Sequence, residues 1–410
     1  MGTGEETYGE FAKTLKLLPE DEERFLDSLR LEHGISPRGV SKRLHAITYW
    51  GFSTAEQAYF VETALRLMGL TTNFSRVIVF CAHGSTSQNN PYESALDCGA
   101  CGGNQGHPNA RAIAAMGNNS AVRKVLHRRG IKIPDDTHFF AAQHDTTTDR
   151  VRIVDLEDIP PTHRNDLQRL ATDLAEAGSQ VTLERGVFLD AAVSTPTSST
   201  VLRQVQERSE DWAQVRPEWG LSKNSLIVIG RRSLTQTVNL RGRSFLHSYD
   251  HRQDASGKFL ETIMTAPLVV AQWINMEHYF STVDNEVYGS GSKVYHNVTG
   301  RIGVITGVSS DLRMGLPAQT VWNGCEPYHE PMRLLAVIEA PRERIISIIT
   351  RQPLLEGLFN RGWVTLVALE PHDGMFYQYE RLNCWTEIKG GLKDELRTAP
   401  YERNQDRGSG

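Results

Sequence analysis

Residues 77–83 read Val-Ile-Val-Phe-Cys-Ala-His, and this run constrains the fold more than any other part of the chain. Four consecutive apolar residues, three of them β-branched, predict a strand. The lack of polar alternation predicts burial on both faces. Helix and strand signals alternate around it. Ser53 and Glu56 form a capping box, and Phe60, Ala64, Leu67 and Met68 recur at helical spacing before Gly69 ends the helix. A Gly-, Ser- and Asn-rich segment fills 84–107. Pro108 opens a helix to Met116, and a second is predicted over Ser120–Arg129. Strands are predicted over Thr137–Gln143 and Val151–Leu156, and an amphipathic helix over 160–178. Further on, Leu226–Ile229 reads as a buried strand. Lys258–Thr282 reads as a long helix kinked at Pro267, Glu343–Thr350 as a helix and WVTLVAL as a late strand. The pattern predicts an α/β chain with helices on both faces of a sheet. Residues 1–50 form a charged helical segment, 51–190 an α/β region, 200–395 an α+β region and 396–410 a polar tail. The Ser/Thr-rich loop near 190–200 marks the boundary.

The chemistry gathers just after the first strand. Cys81 and His83 stand two apart at a strand end, so they leave the same face. Cys98 and Cys101 form a Cys-x-x-Cys knuckle flanked by Gly99 and Gly102. Thiolate and imidazole are the usual zinc donors, and Cys81, His83, Cys98 and Cys101 could together close a tetrahedral structural site. A partial set would leave positions for water or substrate. Cys81 also reads as a small core residue. A redox reading of the Cys-x-x-Cys is disfavoured, because the nearby His and the Gly-rich loop do not resemble a thioredoxin turn. The loop CGGNQGHPN frees backbone N–H groups just before a helix, a place that attracts small oxyanions such as bicarbonate.

Other groups carry less. His144-Asp145 through Asp149 reads as a polar pocket lining or, more commonly, a capped turn. Arg231, Arg232, Arg241 and Arg243 offer an anion or partner surface, or a solvated edge. His247, Asp250 and His251 lack a specific metal spacing, and GSGSK at 289–293 reads as a turn. No nucleophile elbow or catalytic triad is apparent. Lys+Arg 44 against Asp+Glu 49 argues against a general nucleic-acid binder. Five cysteines, an odd number, are too few for a disulfide scaffold. The N-terminus is acidic and lacks the apolar core of a signal peptide, and no stretch suits a spanning helix.

The motifs HGSTSQNNPYESALDCGACGG, PNAR and HDTTTD, continued by FLHSYD, LETIMTAPLVVAQWINMEHYFSTVDNE, HNVTGRIGV, DLRMGLPAQTV and HEPMRLLAVIEAPRE, resemble the DabA family over about residues 50–375. The resemblance implies a β-carbonic-anhydrase-like sheet. It also implies one zinc ion held by two Cys, one His and one Asp. The family's zinc His matches His83, and its later zinc Cys matches Cys98. The remaining Cys and Asp belong to a Cys-x-Asp-x-Arg segment upstream, and residues 1–80 contain none. On this reading the chain resembles the C-terminal part of the family, a truncated or split form. It would be inactive alone unless another fragment supplied the missing ligands. The resemblance further implies CO2 or bicarbonate as substrate, a DabB-like membrane partner, a cation gradient as driving force and a peripheral place on the cytoplasmic face of the inner membrane. A structural zinc protein or an inactive remnant is the alternative.

Overall fold

The computed structural model describes residues 51–86, 97–98, 101, 103–186, 188, 198–210, 220–290, 298–299, 302–303, 305–308, 311–316 and 318–389. The expected helical segment at 1–50, the polar tail at 396–410 and most of the loop near 190–200 lie outside them. The chain divides into two units, residues 1–222 with 277–331, and residues 223–276 with 332–410.

The first unit is built on helix α1 (Thr54–Leu67), strand β1 (Val77–Gly84), helices α2 (His107–Asn118) and α3 (Ser120–Arg128), strands β2 (His138–Asp145) and β3 (Arg150–Ile153), and helices α4 (Arg164–Gly186) and α5 (Ser198–Glu210). The strands order as β1-β2-β3. β1 runs parallel to β2, from Val77 opposite His138 to Gly84 opposite Asp145, and β3 is antiparallel to β2. Ile78, Phe80 and Ala82 share one face with Phe139 and Ala141. There they pack with Ala58, Val61 and Leu65 of α1, Ala110 and Ala114 of α2 and Val122 and Leu126 of α3. Phe80 stacks on Phe139 at 5.6 Å, and a Cβ on Gly117 would reach the Phe139 ring at 2.9 Å. Truncating a fully enclosed ring such as Phe139 costs about 3–5 kcal/mol. The long helix α4 packs on β3.

Two expectations change here. The capping box of α1 forms as predicted, with Ser53 Oγ accepting from the Glu56 N–H. The buried face, however, is Ala58, Val61 and Leu65. Phe60 and Met68 are 40% and 39% exposed. Small side chains let α1 approach its neighbours, while Phe60 finds its contacts locally, edge-on to Phe52 at 4.8 Å. Strand β1 is also less buried than its composition predicts. Most of its residues are half-buried, because among the described residues it lies at the sheet edge.

Asn118 closes a gap in this sheet. β3 ends level with Ala142, so Phe139 has no strand on that side. The Asn118 amide takes its place. Its Nδ2 donates to the Phe139 carbonyl at 2.7 Å, and its Oδ1 accepts from the Phe139 N–H at 2.9 Å. Arg123 donates to the same Oδ1 at 3.1 Å.

The second unit holds strands β4 (Leu226–Gly230) and β5 (Ser244–Ser248), helix α6 (Lys258–Thr265), and the start of helix α7 (Pro267–Tyr288). Its later part holds β8 (Leu334–Glu339), helices α9 (Arg342–Arg351) and α10 (Pro353–Asn360), β9 (Val364–Leu369), β10 (Phe376–Tyr379) and β11 (Trp385–Glu387). The short strands β6 (Val298–Thr299) and β7 (Ile302–Gly303) and helix α8 (Ala318–Val321) belong to the first unit. The larger sheet is ordered β11-β10-β9-β8-β4-β5, parallel from β5 to β9 and antiparallel beyond. Its central strands are the continuous apolar runs of the sequence. Leu260, Ile345, Ile348 and Phe359 on the helices of this unit are also buried. The helix predicted over Lys258–Thr282 is interrupted at Ala266, and Pro267 opens the next one, as a residue without an N–H favours.

Asn118→Ala removes the amide that satisfies two backbone groups of Phe139. The expected loss is about 2–4 kcal/mol of stability, read by urea denaturation. A loss below about 0.5 kcal/mol contradicts this role.

Candidate functional site

The parallel strands β1 and β2 end side by side, with His83 opposite His144 and Gly84 opposite Asp145. Past β1 the chain returns as a tight knuckle. The Cys98 N–H donates to the Asn104 carbonyl at 3.0 Å, and the N–H groups of Cys101 and Gly103 both donate to the Cys98 carbonyl at 3.0 Å. Gly103 has φ +80°, a conformation that favours glycine. The knuckle is fastened to the strand by the Gly106 N–H, which donates to the His83 carbonyl at 2.9 Å. A Cβ on Gly106 would lie 3.0 Å from the Ala82 Cβ, a tight contact that glycine avoids.

This folding sets Cys98 in contact with two other predicted donors, one at a time. Cys98 hydrogen-bonds with the Cys101 side chain and with His83. The Cys101 contact, then those with His83, bring the Cys98 thiol down to about 4 against an opposing burial effect, so Cys98 is a thiolate at neutral pH. Cys101 is held in turn by Asn109 of α2, whose Nδ2 donates to its Sγ at 3.2 Å. Asp97, beside Cys98, accepts from the Ser85 N–H at 2.7 Å and pins the knuckle to the strand end a second time. Asp97 and Asn109 are not metal-donor motifs, and their roles emerge only from the fold. Asn109 does stand in the PNAR motif, four residues from which a signal was available.

Cys81 is not part of this group. Its thiol donates to the Ala82 carbonyl at 3.6 Å. Burial pushes it up, opposed by a hydrogen bond from the His144 main chain. The four-donor closed set is therefore not assembled. Cys81 is exposed rather than a core residue, since β1 has a strand on one side only among the described residues. Zinc fits the donor chemistry of a thiolate beside an imidazole. Among the described residues, no group of three or more His, Cys, Asp or Glu side chains is disposed to hold a metal, so these residues bring a partial set.

The surroundings are polar and tightly bonded. The Asp145 carboxylate accepts from Thr86 Oγ1 at 2.7 Å, the Thr147 N–H at 3.0 Å and Thr148 Oγ1 at 2.6 Å, which makes the capped turn of the sequence reading. His144 Nε2 meets Asp149 Oδ1 at 3.2 Å. Asp149 is itself held by an ion pair with Arg185 and by Thr182 Oγ1 at 3.3 Å. His107, at the start of α2, is held neutral. It is brought down to about 4 by burial first, then by the charges of Arg111 and Arg152. The amides expected to greet an anion are largely committed inside the knuckle: those of Cys98, Cys101, Gly103 and Gly106 all have carbonyl partners.

The remaining candidates resolve as structural contacts in the second unit. Arg231 Nε donates to the buried Glu339 at 2.8 Å, Arg232 to the Leu246 carbonyl at 2.9 Å and Arg243 to Met332 Sδ at 3.0 Å. His247 is turned to the Ser248 carbonyl at 3.0 Å, and Asp250 is paired with Arg252 at 2.7 Å. GSGSK at 289–293 lies largely outside the described residues.

The lowered Cys98 group makes a pH test possible. Its ionised fraction is nearly complete at both pH 6 and pH 8, whereas that of Cys81 falls about 100-fold between pH 8 and pH 6. In chelator-treated protein, alkylation at Cys98 should thus be almost flat across this range, and Cys101→Ala should move its midpoint upward. A Cys98 rate falling in parallel with that of Cys81 contradicts the contact.

The family model described as "Probable inorganic carbon transporter subunit DabA" matches residues 6–364. The chain is 47% identical over 373 residues to the "Probable inorganic carbon transporter subunit DabA1" of Halothiobacillus neapolitanus, a match covering 91% of this chain and 36% of that protein. It is 50% identical over 340 residues to a DabA of Legionella pneumophila strain Lens, covering 83% and 44%. It is 48% identical over 374 residues to one of Thiobacillus denitrificans, covering 90% and 36%. The chain thus spans less than half the length of these curated relatives. No solved structure matches it.

Proposed function

We propose, from the premise that the chain belongs to the DabA family of probable inorganic carbon transporter subunits, that it is part of a zinc-binding subunit of an energy-coupled uptake system for CO2 or bicarbonate. His83 and Cys98 hold the metal in this reading. The observation that carries it is the contact between the Cys98 thiolate and His83 at the C-terminal end of two parallel strands. The resemblance to the family assigns metal binding to the same two positions.

The chain's own residues prepare the place. Cys98 is already ionised at neutral pH, so metal binding displaces no proton from it. The Gly106–His83 and Ser85–Asp97 bonds fix where the knuckle meets the strand. Asp149, anchored by Arg185 and Thr182, orients His144 on the strand beside His83. When bound, zinc supplies Lewis acidity of the kind that activates water towards CO2 at neutral pH. The two further ligands that the family uses come, in this reading, from a Cys-x-Asp-x-Arg segment outside residues 1–410. A DabB-like membrane subunit is the partner, and the working position is peripheral, at the cytoplasmic face of the inner membrane. Among the described residues, no helix is long and apolar enough to cross a membrane.

A second reading rests on one specific contact. Cys101 touches Cys98, and a structural zinc held by Cys98, Cys101 and His83 would use it. Zinc content of the purified chain, by plasma emission, separates the two. His83→Ala and Cys98→Ser should each abolish stoichiometric zinc retention, Cys81→Ser should leave it unchanged, and Cys101→Ser should weaken it without abolishing it, since Cys101 supports the Cys98 thiolate. Loss of zinc in Cys101→Ser favours the structural site. Stoichiometric zinc that survives Cys98→Ser overturns both.

A further inference from the structure

We propose that Cys98 and Cys101 are a modification site: a small hydroperoxide or a low-molecular-weight disulfide joins them as a reversible disulfide, which takes the Cys98 sulfur out of the metal site. The pairing itself rests on the geometry of the knuckle. Its effect on metal rests on the assignment of metal to His83 and Cys98.

Three observations carry the pairing. The first is backbone spacing. The Cys101 N–H donates to the Cys98 carbonyl at 3.0 Å. A bond of this kind between residues three apart holds their Cα atoms within about 7 Å. Disulfides span Cα separations of about 4.4–6.8 Å. The Gly103 N–H donates to the same carbonyl at 3.0 Å, so the knuckle is closed before any sulfur reacts.

The second is the direction of the side chains. Cys98 and Cys101 hydrogen-bond to each other through their side chains. Asn109 Nδ2 donates to Cys101 Sγ at 3.2 Å and steadies that sulfur from α2. Bonding then requires the two sulfurs to close from contact to about 2.05 Å. This contact outweighs the lack of a thioredoxin-like turn, which disfavoured redox chemistry from sequence alone.

The third is access. Cys98 and Cys101 are half-buried, so a small oxidant reaches them. Two of the other thiols are turned to their own backbone, Cys81 to the Ala82 carbonyl at 3.6 Å and Cys384 to the Leu382 carbonyl at 3.8 Å.

With hydrogen peroxide the chemistry runs in two steps. One sulfur attacks a peroxide oxygen, the O–O bond breaks, and water leaves a sulfenic acid behind. The second sulfur attacks the first, the S–S bond forms, the S–O bond breaks, and a second water leaves. The two thiols give up two electrons and two protons, and the peroxide takes both. With a small disulfide as oxidant, the same electrons and protons leave with it as two thiols. Metal binds the thiolate form of cysteine, so the joined pair leaves His83 without Cys98 beside it as a donor. At a cytoplasmic position such a bond is transient, because the surroundings reduce it again.

Peptide mapping by mass spectrometry tests the proposal. The Cys81→Ser chain is used, because trypsin then releases residues 77–111 with Cys98 and Cys101 as their two cysteines. After chelation and reduction, a small excess of hydrogen peroxide should make this peptide two hydrogens lighter. The change should be at least tenfold faster than any linkage to Cys325 or Cys384, and dithiothreitol should reverse it. In a chain that also carries Cys101→Ser, the bond should be lost and added glutathione should be captured at Cys98. The oxidised chain should take up less than a tenth of the zinc that the reduced chain binds. The proposal is overturned if the peptide keeps both thiols, if it passes to sulfinic acid without an S–S bond, or if linkage to Cys325 or Cys384 is as fast. It is equally overturned if the oxidised chain binds zinc as well as the reduced one. A reduced chain that binds no zinc overturns the metal assignment instead, and the mass of the peptide alone then decides the pairing.

Discussion

The bond from the Gly106 N–H to the His83 carbonyl is the constraint on which the candidate site depends. It fixes where a Gly-rich loop meets the end of β1, and through that the position of Cys98 and Cys101 relative to His83. A side chain at 106 would crowd the Ala82 Cβ at 3.0 Å, so glycine lets the loop sit close to the strand. The parallel register of β1 and β2 supplies the other coordinate, since it sets His83 beside His144 and Gly84 beside Asp145. Two backbone constraints, one along a loop and one across a sheet, thus bring side chains from distant positions to one strand end.

The electrostatics follow from that geometry. A thiolate is stable here because Cys101 and His83 both interact with its sulfur, and these contacts outweigh the cost of burial. Removing either partner would return Cys98 towards an ordinary thiol. Farther out, Asp145 and Asp149 are spent on turn amides, hydroxyls and Arg185. Those carboxylates build the walls of the site.

Local signals were readable in the sequence, and signals that depend on distant partners were not. The capping box of Ser53 and Glu56 lies within one turn of helix, and it forms. The face that this helix buries depends on what packs against it, so Phe60 misled while Ala58, Val61 and Leu65 went inward. The strand at 77–84 was legible from its β-branched run, but a continuous apolar run cannot reveal that its outer neighbour is missing from the described residues. His83 and Cys98 were legible through the family resemblance. The exclusion of Cys81 was not, because spacing puts it on the same strand face as His83 while the loop fastens only at residue 83. Arg231 read as a surface charge because its partner, Glu339, lies on another strand more than a hundred positions away.

X-ray absorption at the zinc edge of the metal-loaded chain tests the central claim, that His83 and Cys98 form the metal-binding core and Cys81 stands outside it. The account predicts at least one histidine nitrogen, one or two sulfur neighbours, and oxygen in the remaining positions. Three sulfur neighbours, or a shell with no histidine nitrogen, would contradict it.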